Sequence, residues 1–390
     1  MNNTVYYLSP VRMQEVPNTG IRKKVWGQLE AMRSLGYQPV LFYLREDGLV
    51  ATDGLTDQRV TPLPSGNRLV NQWNYYSYVY EYYEEQLRAA DFIYIRYHVP
   101  TPAYLKLLKQ LYTPQQVPYI FCEVPTYPYM EEFRGWKGKI YAWLDRRYRE
   151  LAGNYYHSVI SFYPADDIFG HQPLVVENAI GDSILRQGAQ ASAVYPSPVE
   201  VTTLRMLGLA SNLEPFHGYD RVLAGMRAFY ASGNQDFKVN FTIISQGVEF
   251  ERLQMLVEDY KLNEYVTFLP PMVGKQLYGL LVAMDVGVGT LARYRVNLET
   301  DNSLKSREYC AFGVPILLGA KDRSFPPELS FVNYLTNSAK AVDIEALISW
   351  IKELREQPEW RKDVTQYAAN KLSWQAQMRR IFEAARKENV

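Results

Sequence analysis

The hydrophobic positions alternate between short apolar runs and longer segments with helical spacing. An apolar run at 5–9 precedes a segment, 21–35, in which apolar residues recur three and four apart, and a second run follows at 39–44. Strands that are buried on both faces of a parallel sheet appear as continuous apolar runs, whereas a helix with one buried face shows the longer period. The beginning of the chain therefore predicts a strand, a helix and a strand, which is how a parallel α/β sheet opens.

The same alternation continues along most of the chain. Further strands are predicted at 92–97, 119–123, 158–162, 175–176, 204–210, 239–245, 266–269, 286–289 and 315–318. Helices are predicted at 73–87, 102–112, 141–151, 219–230, 249–260, 277–284, 305–312 and, with a break at Pro358, over 344–387. The segment 181–203 is weakly periodic and rich in Ala, Ser and Pro, so it is predicted to be a linker or an exposed hairpin between two α/β halves.

The charges and the rare residue types exclude several classes of protein. Lys and Arg number 42 and Asp and Glu also number 42, so no net charge attracts the chain to nucleic acid. The two cysteines and four histidines, which lack metal-ligand spacing, oppose a disulfide framework and a zinc site. The longest apolar stretch, 280–291, is shorter than the ~20 residues of a membrane span, and no signal-peptide pattern is present. We therefore expect a cytoplasmic protein.

Tyrosine is unusually abundant, with 32 residues against 16 phenylalanines. Its ring suits stacking on sugars or bases, and it also serves in cores and interfaces. The segment 75–83 is especially rich in tyrosine, and as a helix it would present an aromatic face that a partner protein could cover.

Two candidate functional segments in the N-terminal half lie at the ends of predicted strands. The loop 17–24 leads into a helix whose first amides and dipole favour an anion, and Gly20 permits a close approach. The other interpretation is an ordinary turn in which Lys24 and its basic neighbours are solvated. Glu123 ends an apolar strand, where ligands of parallel sheets bind, so it could orient a sugar hydroxyl or act as a base.

The C-terminal half contains the stronger signals. His217 and Gly218 come directly before a predicted helix, a position that suits contact with a phosphate. Lys305 and Glu308 are three residues apart and share one face at the start of a later helix. A cation with free first-turn amides suits a diphosphate, and a carboxylate suits a ribose diol, so this segment is typical of a nucleotide-sugar site. The alternative is a capped amphipathic helix with an internal ion pair.

Six segments together resemble glycosyltransferase family 4, whose members are retaining, nucleotide-sugar-dependent enzymes. They are GIRKKVWGQLEAMRSLGY after the first strand, VVENAI, HGYDRVLAGM, DVGVGTL, LKSREYCAFGVPIL and the terminal SWQAQMRRIF. They occur in the family's order and span nearly the whole chain, and the likeness is greatest to transferases that assemble bacterial surface polysaccharides. The resemblance implies an α/β protein with the GT-B fold, in which two Rossmann-like domains face each other across a cleft and the last helix crosses back to the first domain.

The implied domains have different ligands. Residues 1–182, together with 374–390, would bind the acceptor, and residues 183–373 would bind the nucleotide-sugar donor. The reaction would take place in the cleft between them.

The resemblance also assigns roles to single residues. Glu308 matches the family's second glutamate and would hold the ribose hydroxyls, while Lys305 would meet the diphosphate. The family's first glutamate falls on Thr300, so Glu299, one residue away, is expected to replace it as a catalytic carboxylate. Glu123 stands near the place of the family's acceptor-domain histidine and is the second catalytic candidate.

The family's usual phosphate clamp is absent. Ser211 and His217 stand where the family has Arg and Lys, so Lys305, Arg307 and His217 are expected to substitute. The complete set of expected donor-binding residues is Gly20, Lys24, Ser211, His217, Gly218, Ser303, Lys305, Arg307 and Glu308.

The implied activity is transfer of a hexose with retained configuration, without metal or cofactor. The expected donor is a UDP-sugar and the acceptor a glycan or a lipid-linked glycan. Two alternatives stay open: a non-catalytic, transferase-like scaffold subunit of a heteromeric enzyme, and a nucleotide-sugar epimerase. Oligomerisation also stays open, as does peripheral contact with the inner face of a membrane through the basic run 136–149, for which a solvated helix face is the other interpretation.

Overall fold

The computed structural model describes residues 3–15, 18–113, 118–130, 133, 135–195, 202–234 and 237–388. Pro17 of the predicted loop and 196–201 of the predicted linker lie outside the described residues, as does the side chain of Lys137. Residues Met1–Glu177 and Trp374–Val390 form one compact unit, and Asn178–Ser373 form a second.

The first unit is built on an eight-stranded sheet in the order β4-β3-β2-β1-β5-β6-β7-β8. The strands are β1 Thr4–Leu8, β2 Gln38–Leu44, β3 Leu49–Thr52, β4 Asp57–Thr61, β5 Phe92–Arg96, β6 Tyr119–Val124, β7 Ser158–Ser161 and β8 Leu174–Val175. The helices are α1 Thr19–Ser34, α2 Arg68–Trp73, α3 Tyr75–Arg88, α4 Pro102–Leu111, α5 Gly135–Gly153 and α13 Trp374–Glu388. The strands pair in parallel except where β3 joins β2 and β4 in antiparallel.

The second unit has a six-stranded, wholly parallel sheet in the order β11-β10-β9-β12-β13-β14. The strands are β9 Thr203–Leu209, β10 Lys238–Ile244, β11 Val266–Leu269, β12 Val286–Val288, β13 Ile316–Leu318 and β14 Val332–Tyr334. The helices are α6 Asp182–Val194, α7 Tyr219–Ala231, α8 Val248–Asp259, α9 Lys275–Val282, α10 Leu304–Ala311, α11 Ile344–Glu356 and α12 Trp360–Lys371. Short 3₁₀ turns lie at Pro215–His217 and Arg293–Val296.

The last helix, α13, belongs to the first unit although the chain reaches it through the second. It packs against α1. The ring of Phe382 stacks on Tyr37 with 4.0 Å between the centroids, and it also meets Phe92 and Phe121 of the sheet. The aromatic face of α13 thus closes the core of the first unit.

The prediction of a linker or hairpin at 181–203 is wrong for its described part, because 182–194 form α6. The small residues that suggested a linker allow close helix packing. A Cβ atom on Gly188 would lie 2.1 Å from the carbonyl oxygen of Ala311, so only glycine lets α6 approach α10 this closely. The hydroxyl of Ser192 donates to the carbonyl of Phe312 at 2.6 Å.

The tyrosine-rich helix α3 turns its aromatic face inward. Tyr75, Tyr76, Tyr78 and Tyr83 are buried in the core of the first unit. The Tyr75 hydroxyl donates to the carbonyl of Phe42 at 2.6 Å and so ties the helix to β2. The interpretation of these rings as core residues is confirmed, and the interpretation of this face as a surface for a partner is wrong.

Candidate functional site

A buried carboxylate lies at the carboxyl ends of two neighbouring strands in the first unit. Arg96 ends β5 and is paired in register with Glu123 of β6, so their side chains meet. Glu123 is fully buried, and its Oε1 lies 2.7 Å from Nη1 of Arg96 and 3.1 Å from Nζ of Lys24 in α1. Sequence reasoning missed Arg96, although a single arginine at the end of the apolar run FIYIR was a visible signal.

The second carboxylate oxygen of Glu123 is also occupied. Oε2 accepts hydrogen bonds from the amide of Gln28 at 2.6 Å and from the hydroxyl of Tyr94 at 2.8 Å. Burial alone would raise the pKa of Glu123, but the charges of Lys24 and Arg96 and these hydrogen bonds hold it below its ordinary value. Glu123 is therefore an ionised group that positions its neighbours, with neither oxygen left to accept a proton from an acceptor hydroxyl.

Lys24 is buried, which differs from the interpretation of solvated basic residues at this place. Its ammonium lies 3.3 Å from the centroid of the Phe162 ring. Burial lowers the pKa of Lys24 to about 7, and Glu123 offsets only part of that effect. Gly20, in the first turn of α1, is different: a Cβ atom there would meet nothing within 4 Å among the residues that the structure describes. The space beside Gly20 is thus open to a ligand.

Gly218 joins a 3₁₀ turn to α7 in the second unit and is required by packing. Its φ of 70° is left-handed, and a Cβ atom would lie 2.8 Å from Cβ of Ala292. The turn is fixed to the loop after β12, because the amides of Leu291 and Ala292 donate to the carbonyls of His217 and Phe216 at 3.0 Å each. The glycine predicted to contact phosphate therefore has a structural role of its own.

His217 carries no charge at neutral pH. Its Nδ1 lies 3.0 Å from both the backbone amide and the carbonyl oxygen of Glu214, so the tautomer decides whether Nδ1 accepts or donates there. Burial first, and then the positive charge of Lys305, lower the pKa of His217 well below its ordinary value. Nδ1 thus contacts Glu214 in either tautomer, and Nε2 is the ring nitrogen that could meet a ligand.

Lys305 is a buried ammonium group without a salt bridge. Its Nζ lies 3.3 Å from the hydroxyl of Tyr219, and the side chain is 8% exposed. Across the described ranges of the chain, no carboxylate lies within 4.0 Å of Nζ. Burial lowers the pKa of Lys305 to about 7, against the attraction of Asp301. Asp301 attracts Lys305 from beyond salt-bridge distance, and an anionic ligand would supply a partner in direct contact.

Asp301 is a site residue that sequence reasoning missed. Its Oδ1 accepts from Nε of Arg293 at 3.0 Å, while its Oδ2 is buried and accepts no hydrogen bond from any residue that the structure describes. Burial raises the pKa of Asp301, but Arg293 and Lys305 outweigh this effect and lower it to about 2. By contrast Glu299 is exposed, and its nearest polar contact is the side-chain amide of Asn337 at 3.5 Å. The buried carboxylate beside Lys305 is thus Asp301, two residues beyond the one expected.

The remaining predicted residues lie on α10 and on the bend after β9. Ser303 is its N-cap, but the hydroxyl makes no capping bond and lies 3.1 Å from the hydroxyl of Ser306. Glu308 is 7% exposed in the middle of the helix. Ser211 lies half-buried on the bend after β9.

Arg307 is fully buried and belongs to a structural network. It forms an ion pair with Asp322 and donates to the side chains of Asn302 and Ser324, at 2.7 and 2.8 Å. It also donates to the carbonyls of Asn178 and Ser303, at 3.0 and 3.1 Å. A guanidinium group has five N–H donors, and these bonds use all of them, so we remove Arg307 from the candidate donor site.

Two classes of feature are absent from the described part of the chain. No group of three or more His, Cys, Asp or Glu side chains is arranged to hold a metal ion there. Within the same residues, no helix is both long and apolar enough to cross a membrane.

Comparison with solved structures shows the fold. Sucrose-phosphate synthase from Thermosynechococcus elongatus superimposes with a TM-score of 0.64, at 14% identity over 99% of each chain. A glycosyltransferase from Rickettsia africae ESF-5 gives 0.63, at 10% identity over 98% of each chain. An alpha-glucosyltransferase in complex with UDP and a 13-mer DNA also gives 0.63, at 10% identity over 98% of each chain.

These neighbours define the class of fold. No protein-family model matches the sequence, and no curated protein is similar to it in sequence. At such low identities the structural likeness concerns the fold alone. The chain has the GT-B fold of glycosyltransferases, with two Rossmann-like units and a last helix that belongs to the first.

Proposed function

We propose that the protein is a retaining hexosyltransferase that moves a sugar from a nucleotide-diphosphate donor, a UDP-sugar, to a glycan or lipid-linked acceptor. The observation that supports this most directly is Lys305, a buried ammonium group with no carboxylate within 4.0 Å among the described residues. A fold keeps such a group only at a cost in free energy, which an anionic ligand would offset. The neutral His217 lies in the same region and would contribute an N–H donor in the tautomer protonated at Nε2.

The diphosphate would be bound by Lys305, by His217 in the tautomer that carries its proton on Nε2, and by the first-turn amides of α10. These donors are fixed before the ligand arrives, and in a site of low dielectric they stabilise the negative charge that grows as the glycosyl bond to the diphosphate breaks. This arrangement would replace the arginine and lysine that the family has at positions 211 and 217. Glu308 would hold the ribose diol, and no metal ion takes part in the proposal.

The catalytic carboxylate of the donor side is reassigned to Asp301. Its unpartnered, ionised Oδ2 can accept a hydrogen bond from a sugar hydroxyl, whereas Glu299 is exposed. The glycosyl carbon would lose its bond to the diphosphate and gain one to the acceptor oxygen, with the same anomeric configuration. The proton of the acceptor hydroxyl would pass to the departing diphosphate. Gly20 leaves open space in the first unit, and Glu123 fixes the surrounding Lys24 and Arg96.

A binding panel tests the donor site. UDP, GDP, ADP, CMP and their common sugar conjugates are each added to the protein, and the melting temperature is recorded. A nucleotide at 100 times its dissociation constant adds about 2.7 kcal/mol of stability, which is visible as a higher melting temperature. We expect one nucleotide family to bind, with loss in Lys305→Met and Glu308→Gln but not in Lys371→Met, an exposed lysine of the same unit.

Product analysis then distinguishes the alternatives. With acceptor present, NMR of the product should show the anomeric configuration of the donor. Consumption of the donor without acceptor would indicate the epimerase, and absence of any nucleotide binding would favour the non-catalytic subunit. The aromatic interface expected of such a subunit is not available on α3, because four of its six tyrosines are buried in the core.

A further inference from the structure

A surface on the first unit exposes an unusual amount of apolar side chain. Eleven large apolar side chains are exposed among the described residues, and seven of them lie on just two helices, α2 and α5. We call these seven the tryptophan face: Leu69, Val70 and Trp73 on α2, and Trp136, Ile140, Trp143 and Leu151 on α5. Single exposed apolar residues are normal in soluble proteins, but a contiguous group marks a binding surface.

The orientation of α5 is fixed by a buried polar anchor on its other side. Asp145 is fully buried and accepts hydrogen bonds from the hydroxyls of Tyr97 at 2.6 Å and Tyr129 at 3.1 Å. Trp136, which is 69% exposed, and Trp143, which is 62% exposed, are seven residues apart and therefore on one face of the helix. The opposite face holds the anchor, so the helix cannot rotate to bury its tryptophans.

The two helices enclose an apolar groove of about 200 Å³. Leu69 and Trp73 of α2 line it on one side, and Trp136 and Ile140 of α5 line it on the other. Tyr76 and both apolar and polar side chains complete the lining. The groove thus connects four of the seven residues of the tryptophan face, two on each helix.

Basic side chains surround this surface although the whole chain is electrically neutral. Lys139, Arg146 and Arg147 of α5 and Arg68 of α2 are exposed. Arg68 is paired with Glu15 at 2.9 Å, and Glu150 is the exposed acidic residue of α5, so the excess of positive charge lies on α5 with Lys139, Arg146 and Arg147. Tryptophan is enriched where lipid headgroups meet acyl chains, and clustered Lys and Arg are attracted to anionic lipids. Both features together match the surface of an anionic bilayer.

A protein partner fits these observations less well. The fully buried centre of a protein interface is depleted in charged residues, whereas basic side chains here alternate with the tryptophans along α5. A helix that rests in a membrane interface has this pattern, with tryptophan and aliphatic side chains on one face and Lys and Arg beside them.

We propose that the tryptophan face docks the protein on an anionic lipid bilayer, with the exposed side chains of α2 and α5 inserted at the headgroup boundary. This inference stands on the surface alone and does not need the proposed transferase activity. Where both hold, a lipid-linked acceptor would be met at the membrane that presents it.

Vesicle flotation with the full-length chain tests the docking. Vesicles of phosphatidylglycerol and phosphatidylcholine are compared with vesicles of phosphatidylcholine alone, at low and high salt. We expect binding to the anionic vesicles, which weakens as salt rises. Trp136→Ala with Trp143→Ala should lower the affinity at least about tenfold, because two large apolar side chains no longer leave water. Arg146→Gln with Arg147→Gln should lower it about 30-fold.

Matched variants on the second unit serve as controls. Met255→Ala removes an exposed apolar side chain and Lys371→Gln an exposed charge, and neither should change vesicle binding. All of the substituted side chains are exposed, so the melting temperatures should stay close to that of the unchanged chain. Nucleotide binding should also be retained, which separates this inference from the proposed function.

Three results would overturn the docking proposal. The first is an absence of binding to anionic vesicles. The second is equal binding by the double tryptophan variant. The third is a self-associated state in sedimentation that Trp136→Ala with Trp143→Ala dissolves, since the face would then be covered by a second copy of the chain.

Discussion

The ammonium of Lys24 and the carboxylate of Glu123 form an ion pair with 3.1 Å between Nζ and Oε1, and both side chains are buried. Arg96 reaches the same oxygen at 2.7 Å. One carboxylate thus balances two cations within the core of the first unit. Removal of Glu123 would leave both cations without a counter-charge, whereas removal of one cation would leave Glu123 paired with the other.

This asymmetry predicts unequal effects of two substitutions. Glu123→Gln keeps the shape of the side chain but leaves Lys24 and Arg96 buried without a counter-charge, so it should cost about 3–5 kcal/mol of the free energy of unfolding. Lys24→Met leaves the pair of Arg96 and Glu123 intact and should cost less than about 1 kcal/mol. Urea unfolding of each variant measures both values.

A double variant keeps this prediction testable if Glu123→Gln alone does not fold. Glu123→Gln with Lys24→Met buries one unbalanced cation instead of two, so it should be more stable than Glu123→Gln. Equal stability of Glu123→Gln and the unchanged chain would show that the carboxylate is not the counter-charge described here.

The fold could be predicted from the sequence because alternating apolar runs and helical periods depend only on which residues are buried. The prediction failed at 182–194 for a definite reason. Ala, Ser and Gly indicate loops by composition, but here Gly188 is small because α6 packs against the carbonyl of Ala311. Composition alone does not distinguish a small residue in a tight contact from one in a flexible segment.

The candidate site could be predicted less completely, because its chemistry depends on strand register and burial. Arg96 meets Glu123 only because β5 and β6 pair in that register. Arg307 and Lys305 are two residues apart on α10. Arg307 has a full set of internal partners, whereas Lys305 has no salt bridge among the described residues. Helical spacing placed both on α10 but did not show which was available to a ligand.

The two basic residues of α10 should respond to substitution in opposite directions. Lys305→Met removes a buried charge that has no salt bridge among the described residues, so it should raise the free energy of unfolding, by roughly 2 kcal/mol near neutral pH, while it abolishes nucleotide binding. Arg307→Met leaves Asp322 buried without its partner and should lower the free energy of unfolding by about 3–5 kcal/mol. Denaturant unfolding without nucleotide measures both, and a loss of stability in Lys305→Met would contradict the proposed role.

The stability of the protein should rise with pH above neutrality. The folded chain lowers the pKa of Lys305 to about 7 and that of Lys24 to about 7, both from 10.5. Between pH values of about 7 and 10.5 the two lysines are protonated in the unfolded chain and largely neutral in the folded chain. The unfolded chain therefore binds more protons, and the free energy of unfolding increases with pH. The test is urea unfolding from pH 7 to about pH 9, below the titration of tyrosines in the unfolded chain. Lys24→Met with Lys305→Met should flatten the rise, and an equally steep rise in that variant would refute the assignment.

Nucleotide affinity should change with pH in the other direction. A bound diphosphate needs the charged form of Lys305, whose pKa in the free protein is about 7. Affinity should therefore fall as pH rises above about 7, by up to about tenfold per pH unit. Calorimetry in buffers of different ionisation enthalpy should detect a proton taken up on binding. Lys305→Arg, which stays protonated, should bind with an affinity nearly independent of pH over this range.

Substitution of two glycines distinguishes a glycine that packing requires from a glycine that leaves space for a ligand. Gly218→Ala places a methyl group 2.8 Å from Cβ of Ala292 at a φ of 70°, so it should cost at least about 2 kcal/mol of stability. Gly20→Ala meets nothing within 4 Å in the described part of the chain and lies in the first turn of α1, where alanine is tolerated, so the melting temperature should not fall. If Gly20 leaves room for the donor, Gly20→Ala should nevertheless raise the KM for the donor several-fold. An unchanged KM in a fully stable Gly20→Ala protein would mean that no ligand uses this space.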